Sequence, residues 1–229
     1  MHIKNFLFSL ACISALCSLG SPIRDDMAGR NTDFSTGIPN VAFVEYLESD
    51  GNQFIDIYPQ SETISEVKID CGFLVNKASA TGQNFVFGPS KTTRYLEGPR
   101  VLWFGRQIYV SCDGDSAAAI ARLPTGQKAE IEVLYSRDNY IEWSVGALAG
   151  IINRNYYIQG NRFFRIFSID DNRYNLTGRI YYFRLYIDGV LVRDLHPVRI
   201  GSTGYMYDAL TGNLLGNDGT GEFIIGPDI

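Results

Sequence analysis

From Val41 onward, apolar and polar residues alternate in short runs, each broken by glycine, proline, asparagine, aspartate or serine. A period of two marks strands with one buried face. The pattern is clearest in GRIYYFRLYIDGVLVRDL, residues 178–195, where two such runs flank Asp188-Gly189. A two-residue turn of that composition predicts a β-hairpin. Closure there sets Ile187 opposite Val190, Leu185 opposite Val192 and Arg184 opposite Arg193. Tyr181, Phe183, Leu185, Ile187, Val190 and Val192 then share the core face. Tyr182, Arg184, Tyr186, Leu191 and Arg193 share the other. Further strands are expected over EVKIDCGFLV, QNFVFG, RVLWFG, IYVSC, AEIEVLYS, YIEWSV and FFRIFSI. Ser49-Asp50-Gly51, between FVEYLE and NQFIDIYP, predicts another hairpin.

The closing stretch GYMYDALTGNLLGNDGTGEF, residues 204–223, reads as construction rather than chemistry. Tyr205–Tyr207 forms a short strand and Asp208 accepts backbone N–H groups of the following turn. Leu214-Leu215 pairs back, Gly216-Asn217-Asp218-Gly219 reverses the chain, and Phe223-Ile224-Ile225 closes it. Ala117–Leu123 is the sole helical candidate, and it is short and runs into Pro124. With 23 glycines, 14 tyrosines and 14 phenylalanines in 229 residues, composition also favours an all-β protein.

The first twenty residues differ. Lys4 precedes an apolar run from Phe6 to Leu16, and Ser18-Leu19-Gly20 offers small residues for cleavage. This reads as a secretory signal over 1–20, followed by a polar leader over 21–40 and one domain over 41–229. Lipid attachment at Cys17 and an uncleaved anchor are the rival readings. The expected location is therefore exported: secreted, periplasmic or at the cell surface, with no membrane span after signal cleavage. Cleavage removes one lysine and no acid, so the formal charge moves from -5 to -6. An acidic domain of this kind has no electrostatic footprint for nucleic acid. Cys71 and Cys112 remain after cleavage. An exported pair of cysteines predicts a disulfide, with two buried thiols as the alternative.

VEYLESDGNQFIDI near the start, with GRIYYFRLYIDGVLVRDLHPV and YDALTGNLLGNDGTGEF at the end, resembles the concanavalin A-like lectin/glucanase superfamily. More narrowly, the chain resembles bacterial LamG-like (laminin G-like) jelly-roll domains over roughly residues 41–226. The resemblance implies an antiparallel β-sandwich of two sheets with about six or seven strands each. It does not imply an activity, since this fold carries lectins, glycosidases and spacers alike.

Catalysis would rest on carboxylates, because His196 is the one histidine left after the signal. Superfamily glycosidases carry a Glu-x-Asp-x-x-Glu strand. Here Glu130-Ile131-Glu132-Val133-Leu134-Tyr135 departs at two of three positions, so Glu130 and Glu132 read as a solvated strand face and the protein as a non-enzyme. Sugar binding needs an aromatic face with polar neighbours. Trp103 with Arg106 and Tyr109, Trp143 with Tyr140 and Glu142, and the ladder Tyr182, Arg184 and Tyr186 are the candidates. Arg184 and Arg193 opposite one another would repel unless a carboxylate or an anionic ligand lies between them. Calcium-binding relatives place acidic loops at the rim. Asp113, Asp115, Asp170 and Asp171 offer hard oxygen ligands for a structural calcium ion, although turn formation explains them as well. No other cofactor is expected. The expected partner is a glycan or a cell-surface protein.

Overall fold

A computed structural model describes residues 40–57, 64–77, 82–89, 98–112, 117–153, 164–169 and 175–229. The expected signal and nearly all of the expected leader lie outside these residues, as do Asp113, Asp115, Asp170 and Asp171. In chain order the strands begin with β1 (Val41–Phe43), β2 (Leu47–Asp50), β3 (Ile55–Ile57), β4 (Glu66–Val75) and β5 (Gln83–Pro89). Next come β6 (Arg100–Phe104), β7 (Gln107–Ser111), β8 (Ala118–Arg122), β9 (Lys128–Ser136), β10 (Tyr140–Val145) and β11 (Leu148–Asn153). The last are β12 (Phe164–Ile166), β13 (Thr177–Ile187), β14 (Val190–Ile200), β15 (Thr203–Asp208), β16 (Leu214–Leu215) and β17 (Ile224–Ile225).

They form two antiparallel sheets. The larger has eleven strands, with the path β11-β10-β9-β4-β13-β14-β15-β16 and β1, β2 and β17 attached to it. The smaller has six, in the order β3-β12-β5-β6-β7-β8. This is the expected all-β jelly-roll sandwich, less evenly divided than six or seven strands per sheet. Ala118–Arg122, within the helical candidate, is a strand instead: it pairs with β7 and turns Ile120 and Ala121 into the core.

The core lies between the sheets. Phe87 of the smaller sheet stacks on Phe164 at 5.0 Å and meets Phe183 of the larger at 5.3 Å. Tyr135 of β9 spans the gap, and its hydroxyl donates to the Arg100 carbonyl of β6 at 2.6 Å. A fully buried tyrosine needs such a partner, and this one ties the sheets together.

The Asp188-Gly189 hairpin is present, with φ of 48° and 77° as its turn requires. Its register departs from the simple closure in one place. Ile187 faces Val190 and Tyr186 faces Leu191, but Leu185 then faces Arg193, because Val192 is an extra residue in β14. Arg184 consequently faces Asp194, not Arg193. A second irregularity on β13 next to β4 leaves Tyr181 half-buried outside the core. Phe183 and Leu185 are fully buried, whereas Val190 at the hairpin tip is 64% exposed and Val192 only half-buried.

Two further expectations are corrected. Ser49-Asp50-Gly51 does not close a hairpin: β2 belongs to the larger sheet and β3 to the smaller. The stretch is a corner at which the chain changes sheets, held by the Asp50 N–H donating to Gln53 Oε1 and by Asn52 donating to Asp50 Oδ1. No disulfide joins Cys71 and Cys112 either. Cys71 lies on β4 and Cys112 just beyond β7, in opposite sheets, where each fills core space as a buried thiol. Burial pushes the Cys71 thiol well above its ordinary pKa, as suits an inert packing group.

Candidate functional site

Strand alternation separates the tryptophan groups. Trp103 is buried at 3% exposure and its indole N–H donates to the Leu123 carbonyl at 2.7 Å, so it is core. Arg106 sits exposed in the β6–β7 turn, and Tyr109 lies half-buried on the outside of the smaller sheet, donating to Gln107 at 3.0 Å. Trp143 leans over Gly150 and packs on the core edge, while Tyr140 and Glu142, of opposite parity, point to the other face. Neither tryptophan combination assembles.

Tyr182, Arg184 and Tyr186 do share the outer face of the larger sheet, but as members of a closed network. Arg184 lies between Asp70 at 3.2 Å and Asp194 at 3.0 Å. The Tyr182 hydroxyl donates to Asp70 at 3.0 Å, and His196 Nε2 stands 3.0 Å from Asp194. Arg193 has its own carboxylate, Asp208, at 3.8 Å. With both arginines supplied by protein carboxylates, the expectation of an anionic ligand between them is withdrawn. Burial pushes the Tyr182 hydroxyl far above its usual pKa, and the Asp70 charge adds to the shift. Glu130 and Glu132 stand on the same face as the alternation required, paired with Lys128 at 3.6 Å and Lys68 at 3.0 Å.

A concave feature among the described residues lies elsewhere, at the rim. A cleft of about 510 Å³ is lined by Asn52, Phe54, Asp56, Arg165, Asp218, Gly219 and Thr220. One wall is the corner between β2 and β3; the other is the loop before β17. Backbone bonds join them: the Asp218 N–H donates to the Phe54 carbonyl at 2.9 Å and the Thr220 N–H to the Asn52 carbonyl at 3.0 Å. Asn217 Oδ1 accepts from the Phe54 and Gly219 N–H groups, which fixes the loop. Gly219 is required here, since a Cβ would lie 2.2 Å from the Asn52 carbonyl oxygen. At the floor, the guanidinium of Arg165 on β12 grips Asp56 through two bonds of 2.7 and 3.0 Å and lies 3.7 Å above the Phe54 ring. Asp218 Oδ2 accepts the Asp56 N–H at 2.8 Å. The site is a shallow, open depression, hydrogen-bonded at its base and polar at its mouth.

In the sequence, Asp218 and Gly219 read as a turn, whereas Phe54, Asp56 and Arg165 fall in strand-like runs. SDGN and GNDGT were visible as acceptor-rich stretches, but nothing local shows that residues 162 positions apart, such as Asp56 and Asp218, touch. The four aspartates considered for calcium lie outside the described residues. Among those described, no group of three or more His, Cys, Asp or Glu side chains could hold a metal ion.

No protein-family model and no curated protein matches the sequence. Solved structures do resemble the fold. A proposed carbohydrate-binding protein from Bacteroides ovatus ATCC 8483 matches with a TM-score of 0.57 at 11% identity, over 81% of this chain and 60% of its own length. A heptameric SAP-like pentraxin from Limulus polyphemus matches at 0.46 and 10% identity, over 63% of this chain and 74% of its own. The family-7 polysaccharide lyase A1-II', an alginate lyase, matches at 0.41 and 8% identity, over 58% and 70%. At these identities the likeness to the Bacteroides protein is one of fold alone, an antiparallel β-sandwich. No helix among the described residues is long and apolar enough to cross a membrane.

Proposed function

We propose that the protein is an exported, non-catalytic, LamG-like module that holds a carbohydrate or another surface component in its rim cleft. The observation that carries this reading is the cleft itself: a concave polar site built on a buried Arg165–Asp56 pair, with Asn52, Asp218 and Thr220 at its mouth. Fixed polar groups around a preformed cavity are what recognition of hydroxyl-rich ligands requires. The outer sheet face supports the non-catalytic part, because its carboxylates, arginine and tyrosine are occupied by one another. Export rests on the Lys4 and Phe6–Leu16 pattern of the first twenty residues.

The test is a glycan array followed by calorimetry on the full chain. Asn52→Ala removes a polar group at the mouth and Thr220→Trp fills it. Each should weaken binding by about tenfold or more, the scale of one lost polar contact, with thermal unfolding unchanged. Binding that survives both variants refutes the site. Hydrolysis of a β-glucan that disappears in the Glu130→Gln, Glu132→Gln double variant would refute the non-catalytic reading.

A further inference from the structure

The donors and acceptors at the mouth of the cleft restrict its ligand further, on the premise that the cleft binds glycans at all. Arg165 is the one cation among the described residues that line it, and its Nε and Nη2 are committed to the two oxygens of Asp56. That pair is neutral. Asp218 adds a negative charge with no lysine, arginine or histidine of the described residues within ion-pair distance, and one of its oxygens is held by the Asp56 N–H. Asn52 spends one of its two Nδ2 hydrogens on Asp50, which leaves the other to donate and its Oδ1 to accept. The backbone carbonyls of Asn52 and Phe54 already accept from Thr220 and Asp218. Among the described lining residues, what remains for a ligand is one Asn52 Nδ2 hydrogen, the Asn52 Oδ1, the Thr220 hydroxyl and the Asp218 carboxylate, the one charge of the cleft left uncompensated there.

A carboxylate or sulfate offers acceptors only, whereas a sugar hydroxyl can donate. We infer that the rim cleft selects neutral, hydroxyl-rich glycans and excludes uronate and sulfated ones. Asp56 is the selectivity element, since it occupies the guanidinium that would otherwise clasp an acidic sugar. Asp218 is the repulsive element. The fold alone gives no such preference.

The experiment compares neutral gluco- and mannohexaoses with hexameric polyuronates of matched length on the full chain, at low and high salt. Neutral hexamers should bind at least about tenfold more tightly at low salt, as expected for one close like-charge contact near a protein surface. The gap should narrow as salt screens it. Asp218→Asn keeps an oxygen for the Asp56 N–H while removing the charge. It should raise polyuronate affinity about five- to tenfold and leave neutral binding within about twofold. Equal or tighter polyuronate binding that Thr220→Trp abolishes would overturn the selectivity while leaving the cleft as the binding site. If none of the hexamers binds, the glycan reading itself falls, and the inference with it.

Discussion

Asp194 accepts from both Arg184 and His196 at 3.0 Å, which makes it the hinge of the outer-face network. Burial opposes its charge, but the hydrogen bonds and charges of His196 and Arg184 outweigh that and hold its carboxyl below the usual range. A carboxyl with a depressed folded-state pKa stabilises the fold above its unfolded-state value of 3.8, and the contribution fades as pH falls through the folded-state value. Asp194→Asn should therefore cost about 1.5–3 kcal/mol at neutral pH, the worth of hydrogen bonds to charged groups. That cost should fade as pH falls through the folded-state value of Asp194. Asp70, on the other side of Arg184, has the opposite sign. Burial raises its pKa despite Tyr182 and Arg184, so its contribution is full below 3.8 and lost as pH rises through the folded-state value. Asp70→Asn should thus cost less at pH 7 than Asp194→Asn. Urea unfolding across this pH range would contradict the account if the two variants behaved alike. Residue roles were legible where they are local: Asp208 accepts from the Leu210 N–H and the Thr211 hydroxyl, as its turn position implied. Trp103 was not legible, because its indole partner, Leu123, lies across a strand pairing that its own neighbours do not encode.

Among the elements, β13 and β14 show how far alternation reaches. It places Phe183 and Leu185 inside correctly, and Leu185→Ala should cost about 2–5 kcal/mol, as cavity-forming changes do. Val190→Ala, at the exposed hairpin tip, should cost less than about 0.5 kcal/mol. Denaturant midpoints of the two variants measure this contrast, and comparable losses would mean that the wrong residues were placed inside. Alternation fails at Val192 and Tyr181, where an irregularity adds a residue on one strand alone. Such irregularities are settled by what the neighbouring strand offers, here Asp194 for Arg184 and Gly72 beneath the Tyr182 ring. Strands β4 and β10 match their sequence patterns residue for residue, since turn formers bound them on both sides. The corner at Ser49–Gly51 misled for a related reason. A turn sequence fixes a reversal of direction, but not whether the next run rejoins the same sheet.

For the molecule as a whole, the sandwich depends on packing between sheets, and no disulfide ties the described residues. Reductant should leave the thermal midpoint of the full chain unchanged, whereas loss of a disulfide would cost about 2–4 kcal/mol. A scanning calorimetry trace with and without dithiothreitol decides this. The fold class was legible from strand count and turn chemistry, but the eleven-to-six division was not, because it depends on which edges attract β1, β2 and β17. Strand β17 has a consequence of its own. It pairs with β2, while the loop just before it forms one wall of the cleft and the residues just after β2 form the other. The larger sheet therefore cannot be completed, nor the cleft assembled, until residues 217–225 have been synthesised and have travelled back to the start of the domain. Chains cut short before that point keep most of their strands yet lack one wall of the cleft. A protease nick at the 216–222 loop should likewise separate affinity from secondary structure, so a molecule held between those walls acts as a clasp on the ends of the domain and slows their parting.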